Sequence, residues 1–415
     1  MRSEPMPADM TRVNAPELDI DPYSDAFIAD PRRHHARLRD AAPVVWLPRY
    51  GVYACARHAE VRAVLRDHVT FISSAGVGLA NFNHEPPLRP KSLLLEADPP
   101  AHGVARAAVA RILSPQAVGR LRESFAAAAD RLIEHLVVRQ TIDAVTDLAQ
   151  PFALQVFPDA VGLQVDERDA LLRYSDLLFN AFGPRNALFE RAAEGMAAIG
   201  DWIMAQCQRS ALRPGGFGAQ VHDAADAGEI PLDAAPLLVR SFLSAGLDTA
   251  IAGIGHALLH LARNPEQYAR LRAEPGLARS AFEEALRLDS PNAIFCRTTA
   301  RPAELAGVAI PADRKLLCFL GAANRDPRQW ADADRFDIAR RSAGHLAFGV
   351  GIHACVGQTI ARLEGELVLR ALAARVRRVE LAGAPQRRPN NTLHALASLP
   401  LRLVPALPGD AGVNR

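Results

Sequence analysis

The chain has 415 residues, 49% of them hydrophobic, which is ample for a sizeable buried core. Its 48 basic and 46 acidic side chains leave a formal charge of +2, so there is no electrostatic case for nucleic-acid binding. Cysteines 55, 207, 296, 318 and 355 are scattered, with no C-x-x-C pair, which excludes a disulfide framework and a cysteine-paired zinc or dithiol site.

In chain order, residues 1–16 hold prolines and acids where a secretory leader needs an apolar run. They read as a flexible arm of a cytoplasmic protein, followed by one domain over 17–415. "PVVWLPRYGVYACA" (43–56) alternates as a hairpin does. "SPQAVGRLRESFAAAADRLIEHLVV" (114–138) predicts an amphipathic helix with Ser114 as its cap and Pro115 at the first helical position. The longest predicted helix runs from Leu232 to Arg263, about 45 Å at roughly 1.5 Å per residue. Its apolar middle carries Asp248, His256 and His260, which are costly in lipid, so it reads as a buried helix and not a membrane span. Gly246, Asp248 and Thr249 weaken that helix locally and offer polar groups to whatever lies against it. "KLLCFLGA" (315–322) and "PLRLVPA" (400–406) read as strands. Helix outweighs strand, which makes the fold mainly α.

The stretch "HLAFGVGIHACVG" (345–357) is too rich in glycine for an ordinary helix or strand, and Cys355 lies just before the helical run "QTIARLEGELVLRALAARV". A helix N-terminus favours thiolate, and nearby backbone N–H groups can tune a metal that the sulfur ligates. One thiolate cannot build a structural zinc site, so a single-cysteine metal site needs a cofactor that supplies the remaining ligands, as haem does.

The spacing F-G-x-G-x-H-x-C-x-G, here Phe348, Gly349, Gly351, His353, Cys355 and Gly357, resembles the haem-thiolate loop of the cytochrome P-450 monooxygenases. The resemblance extends from about Ala36 to Val404. It implies a large helical domain with a smaller β-rich region, and haem b ligated by Cys355 between the cysteine-loop helix and the long central helix. It casts His102 and Arg106 of "DPPAHGVAR", with Arg297 and His345, as propionate partners, and places Phe348, Gly349, His353, Gly357 and Ala245 against the cofactor. "AGLDT" resembles the family's distal-helix motif, in which Asp248 brings in protons and Thr249 orients water and dioxygen. Glu284 and Arg287 of "EEALR" resemble the pair that braces the haem-side core with a later arginine, for which Arg335 and Arg340 both stand in "DRFDIAR". A small iron–sulfur ferredoxin with its reductase would supply electrons, docking near Arg362, and the protein would act as a monomer.

"RPKSLLLEADPPAH", "LLFNAFGP" and "VRSFLSAGLDT" are similar to a narrower bacterial branch that oxidises para-substituted benzoates, often by O-demethylation. The matching positions are Arg89, Ser92, Arg240 and Ser241 for the substrate carboxylate and Leu95, Phe179, Phe182, Ala245 and Phe295 as walls. Helical spacing places Ser241, Ala245, Asp248, Thr249 and Ala252 on one face, and a buried carboxylate requires hydrogen-bonding partners. Asn292 and Cys296 depart from the branch's pattern, and a buried Asn292 amide wants a partner such as a ring hydroxyl, a water or Arg89. Two other functions stay open at this point: a monooxygenase of uncharged terpenoids or fatty acids, and a haem-thiolate binder without oxygen chemistry.

Overall fold

The computed structural model describes residues 15–165 and 168–407. Most of the expected arm, 1–14, lies outside the described residues. Its last two positions are tied down: Ala15 is buried and the Pro16 carbonyl accepts from the Trp46 N–H at 2.9 Å.

The 43–56 segment forms the expected hairpin, with Val45–Leu47 antiparallel to Val52–Cys55 and Gly51 at φ +60° in its turn. Val52–Cys55 then pairs in parallel with Lys315–Phe319, which pairs antiparallel with Ile294–Thr299, and Phe71–Ile72 closes a five-stranded sheet. Pro400–Pro405 is a strand as expected, the middle one of three, between Thr141–Asp143 and Val376–Leu381. A further short strand, Gln386–Arg388, pairs antiparallel with Ala395–Ser398.

The remainder is largely helical. Ser114 caps as expected, its hydroxyl accepting from the Ala117 N–H at 3.4 Å, but the helix it opens ends at Gly119 and resumes as Arg122–Arg139. The predicted Leu232–Arg263 rod is two helices, Ala234–Ala245 and Asp248–Arg263, interrupted at Gly246 and Leu247. Two causes act there. A Cβ on Gly246 would stand 2.2 Å from the Phe157 ring, so the ring presses on bare backbone. The Thr249 hydroxyl also donates to the Ala245 carbonyl at 2.8 Å, competing for a backbone acceptor of the helical ladder. Ala250–Leu261 is buried throughout, which places the longest apolar stretch in the core.

One large apolar cluster gathers residues of the helices Ala101–Ile112, Arg122–Arg139, Ala234–Ala245, Asp248–Arg263, Ala278–Leu288 and Gln358–Arg375. Two smaller clusters pack on the five-stranded sheet. The fully buried Arg287 donates to both Glu284 oxygens, at 2.7 and 2.8 Å. Of the two later arginines, Arg340 completes the brace through its Nε, 2.9 Å from Glu284 Oε1, while Arg335 contributes only its backbone carbonyl.

Candidate active site

The cysteine loop is pinned from several directions. The Cys355 N–H donates to the Phe348 carbonyl at 2.8 Å, and the Leu346 N–H donates to Asn324 Oδ1 at 2.6 Å. Gly351 sits at φ +79°, and a Cβ there would meet the Leu65 carbonyl oxygen at 2.8 Å, so the loop's path requires glycine twice over. His353 Nδ1 lies 3.1 Å from the Leu94 carbonyl, which couples the loop to the Ser92–Glu96 turn.

A cavity with about 1670 Å³ of space, its opening included, brings most of the predicted residues together. Phe348, Gly349, His353, Cys355 and Gly357 line it, with Arg106, Arg297, Ala245 and Thr249. So do Arg89, Ser92, Leu95 and Ser241, and the walls Phe179, Phe182, Phe295 and Asn292. Ser92 Oγ and Ser241 Oγ are 3.3 Å apart. The Phe182 ring stands 6.0 Å from Phe179 and 5.9 Å from Phe295, an aromatic wall continuous across two elements. Asn292 makes no bond to Arg89, and its buried Oδ1 lacks a partner.

Several predicted residues face elsewhere. Asp248 is buried against Arg388, with Oδ1 3.1 Å from Nη1 and Oδ2 3.0 Å from Nη2. Successive helical positions point about 100° apart, so Asp248 and Thr249 cannot share a direction, and Thr249 takes the cavity. Ala252 packs in a cluster with Phe179, Leu393 and Ala395, so of the five-residue face only Ser241, Ala245 and Thr249 line the cavity. Arg240 points at backbone, donating to the Pro90 and Lys91 carbonyls at 2.7 and 3.3 Å, and holds the loop that bears Ser92. His345 turns to Glu283, with Nε2 2.6 Å from Oε2. His102 stands behind His353, their rings 4.3 Å apart, with a buried and unpartnered Nε2. Burial, with help from His353 and Arg106, pulls the His102 pKa down to about 4. Arg362 is not a free surface cation either: it bonds Glu283 and Gln358 and lies 4.5 Å over the Phe348 ring.

The donor set fits a flat, dianionic, metal-bearing macrocycle. Cys355 Sγ opens to the cavity. Burial pushes its thiol above the usual range, and the N–H of Gly357, the Arg106 charge and the Arg362 charge pull the other way. Iron coordination would settle that balance as thiolate. Arg106 and Arg297 line the same cavity without a carboxylate partner among the described residues; Arg297 bonds only the Cys296 carbonyl, at 2.9 Å. One buried and one half-buried arginine, Arg297 and Arg106, without acids are costly in an apolar cavity and well matched to two propionates.

Comparison with known proteins agrees with this geometry. The family model described as Cytochrome P450 matches residues 223–404. Cytochrome p450 CYP199A2 of Rhodopseudomonas palustris is 55% identical over 392 residues, covering 94% of this chain and 95% of its own length. The chain belongs to the cytochrome P450 family. Linalool 8-monooxygenase of Pseudomonas putida is a more distant member, 30% identical over 393 residues, covering 89% of this chain and 95% of its own. Among solved structures, CalO2 aligns with a TM-score of 0.81 at 28% identity, covering 93% of this chain and 99% of that one. Cytochrome P450 CYP109Q5 from Chondromyces apiculatus gives 0.78 at 30% identity, over 94% and 99%. As a P450, the protein is a haem-thiolate monooxygenase that takes dioxygen, a substrate and electrons from a redox partner.

Two residues near this P450 site were missed at the level of sequence. Arg388, partner of Asp248, is 140 residues away in the chain and carries no local signal. Glu364 was legible: Gly357, Ile360, Ala361 and Glu364 all line the cavity, and their spacing of 0, 3, 4 and 7 is one helix face. Burial pushes the Glu364 pKa from 4.5 up to about 8, and its Oε1 has no hydrogen-bond partner. An acid raised in the folded state contributes stability that is fully present below its unfolded pKa and is lost as pH rises through the folded one. The holoprotein is therefore expected to lose stability between pH 4.5 and about 8 through this group. Glu364→Gln should flatten that part of the profile, measured by thermal unfolding at stepped pH. An unchanged slope would mean that Glu364 is not held neutral.

Proposed function

We propose that this P450 oxidises a para-substituted benzoate or similar aromatic carboxylate at its para substituent, by O-demethylation or hydroxylation. The observation that carries the reading is the pair of serine hydroxyls, Ser92 and Ser241, 3.3 Å apart in the cavity that Cys355 opens into, with Arg89 in the same lining. Arg89 directs both of its hydrogen bonds through Nη1, to the Pro90 carbonyl and Glu96 Oε2 at 2.8 and 2.9 Å. Its Nε and Nη2 have no partner among the described residues, which leaves the edge that suits a carboxylate. Apolar walls around Phe179, Phe182 and Phe295 complete a slot for one flat ring.

Held through the Cys355 thiolate, haem would supply the reductive activation of dioxygen. The serines and Arg89 fix the carboxylate, so the substituent para to it is the one presented to the reacting oxygen. In O-demethylation one oxygen atom enters the methyl group, the resulting hemiacetal breaks to a phenol and formaldehyde, and the other oxygen leaves as water. Thr249 holds its hydroxyl in the cavity by donating to the Ala245 carbonyl. Asp248, poised on Arg388 one residue earlier, is the acid that relays protons toward it. Electrons would come from an iron–sulfur ferredoxin and its reductase, with the enzyme a monomer in the cytoplasm.

The discriminating measurement is the haem spin-state shift with 4-methoxybenzoate and with its methyl ester. The acid is expected to bind more tightly. Ser92→Ala/Ser241→Ala should cost it about 1.5–3 kcal/mol, a tenfold or greater rise in Kd, while the ester changes little. Equal affinity of acid and ester would favour an uncharged substrate and remove this reading. Asp248→Asn is expected to leave the spin shift intact and to lower kcat by about 10²-fold or more, with reducing equivalents diverted to peroxide. Full turnover in that variant would release Asp248 from the proton path.

A further inference from the structure

A second cavity, about 1230 Å³ including its opening, adjoins the first and shares Arg89, Leu178 and Phe182 with it. Its composition differs from the inner slot. Arg49 and Arg185 stand at 65% and 70% side-chain exposure in its lining, and Tyr50, Phe82 and Phe189 supply ring faces. Arg49 is engaged with Asp21 at 2.7 Å, whereas Arg185 is only 3.7 Å from Glu85, an exposed pair of little energetic worth. The Arg185 guanidinium lies 5.9 Å above the Phe189 ring, next to a surface against which an aromatic ligand can lie. At the inner end stands Arg89, a residue of both linings, whose Nε and Nη2 have no partner among the described residues.

We propose that the outer chamber is a staging site for the aromatic carboxylate, a binding position that the substrate fills before it reaches the reaction slot. The inference rests on the carboxylate reading of the inner cavity. Arg185 draws the anion to the mouth, the rings of Phe82 and Phe189 hold its flat body, and Arg89 takes the carboxylate by its free edge. From there a turn past Phe182 delivers it to Ser92 and Ser241. One cation thus serves both chambers, and an uncharged analogue of the same shape has nothing to stop at in the first.

Stopped-flow mixing of the ferric holoprotein with 4-methoxybenzoate or its methyl ester, followed by the spin-state change, tests this. For the acid the observed rate should saturate with concentration, the sign of a complex formed before the haem responds, and for the ester it should stay linear. Arg185→Glu should slow association of the acid by about fivefold or more at low ionic strength, leave the ester within a factor of two and leave the amplitude at saturation unchanged. A linear dependence for the acid with the same slope in wild type and Arg185→Glu, while the acid still out-binds the ester at equilibrium, would overturn the staging site and spare the inner one. Equal equilibrium affinity of acid and ester would overturn both.

Discussion

Reduced Cys355→Ala protein treated with carbon monoxide is expected to lack the thiolate-type difference spectrum, and its turnover to fall below detection. The loss should exceed the roughly 10–100-fold that follows removal of a residue that only hydrogen-bonds to a metal ligand. No other cysteine is placed to substitute. Cys55 and Cys318 face each other across parallel strands, their sulfurs 3.9 Å apart in a buried sheet. Cys207 and Cys296 are buried away from the cavity lining, and burial pushes both thiols up to about 12. Cys355 alone among the five lines the cavity, with the Gly357 N–H directed at its sulfur and Arg106 in the same lining. A thiolate spectrum retained in Cys355→Ala would mean that the ligand had been assigned to the wrong loop, and every role assigned by proximity to the cavity would go with it.

Local chemistry was legible in the sequence and long-range pairing was not. The Ser114 cap, the 43–56 hairpin, the cysteine loop and the helix after it are each set within about ten residues, by turn chemistry and periodicity. The serine pair could be anticipated because Ser241 lies one helical turn before Ala245, yet its 3.3 Å contact with Ser92 depends on Arg240 gripping the Pro90 and Lys91 carbonyls. Arg240 was expected as a carboxylate ligand because its position matches the benzoate-oxidising branch; in the structure it is a buried cation spent on backbone carbonyls. Whether such a cation meets ligand or backbone is decided by the path of a loop 150 residues away. The central helix shows the same limit. Gly246 announced a weak point, but only the Phe157 ring against its Cα turns the weakness into a break; beyond it Thr249 stays with Ser241 on the cavity side, while Asp248, one helical step away, turns to Arg388. His345 likewise met an acid, Glu283, one residue before the bracing Glu284.

The Glu284 network should show its architecture in unfolding measurements. Arg287 is wholly buried and spends its donors on both Glu284 oxygens and on the Asn324 and Ala333 carbonyls, at 2.9 and 2.8 Å. Removing one partner of such a pair leaves an uncompensated group in the core, so Arg287→Ala is expected to cost about 3–5 kcal/mol in urea unfolding of the holoprotein. Glu284→Ala should cost at least as much, because it strands Arg287 and also removes the partner of Arg340 and of the Ser342 hydroxyl, which donates at 2.9 Å. Arg340 is 14% exposed and can recruit water, so Arg340→Ala should cost clearly less. The network also reaches the cofactor by a short path. Arg287 holds the Asn324 backbone, and Asn324 Oδ1 in turn fixes the Leu346 N–H at the start of the cysteine loop. Haem transfer to excess apomyoglobin should therefore be faster from Arg287→Ala than from Arg340→Ala under conditions where both remain folded. Equal costs for the two arginines, or equal haem release, would mean that Arg287 stabilises the helix Ala278–Leu288 alone and does not brace the loop that carries the metal ligand.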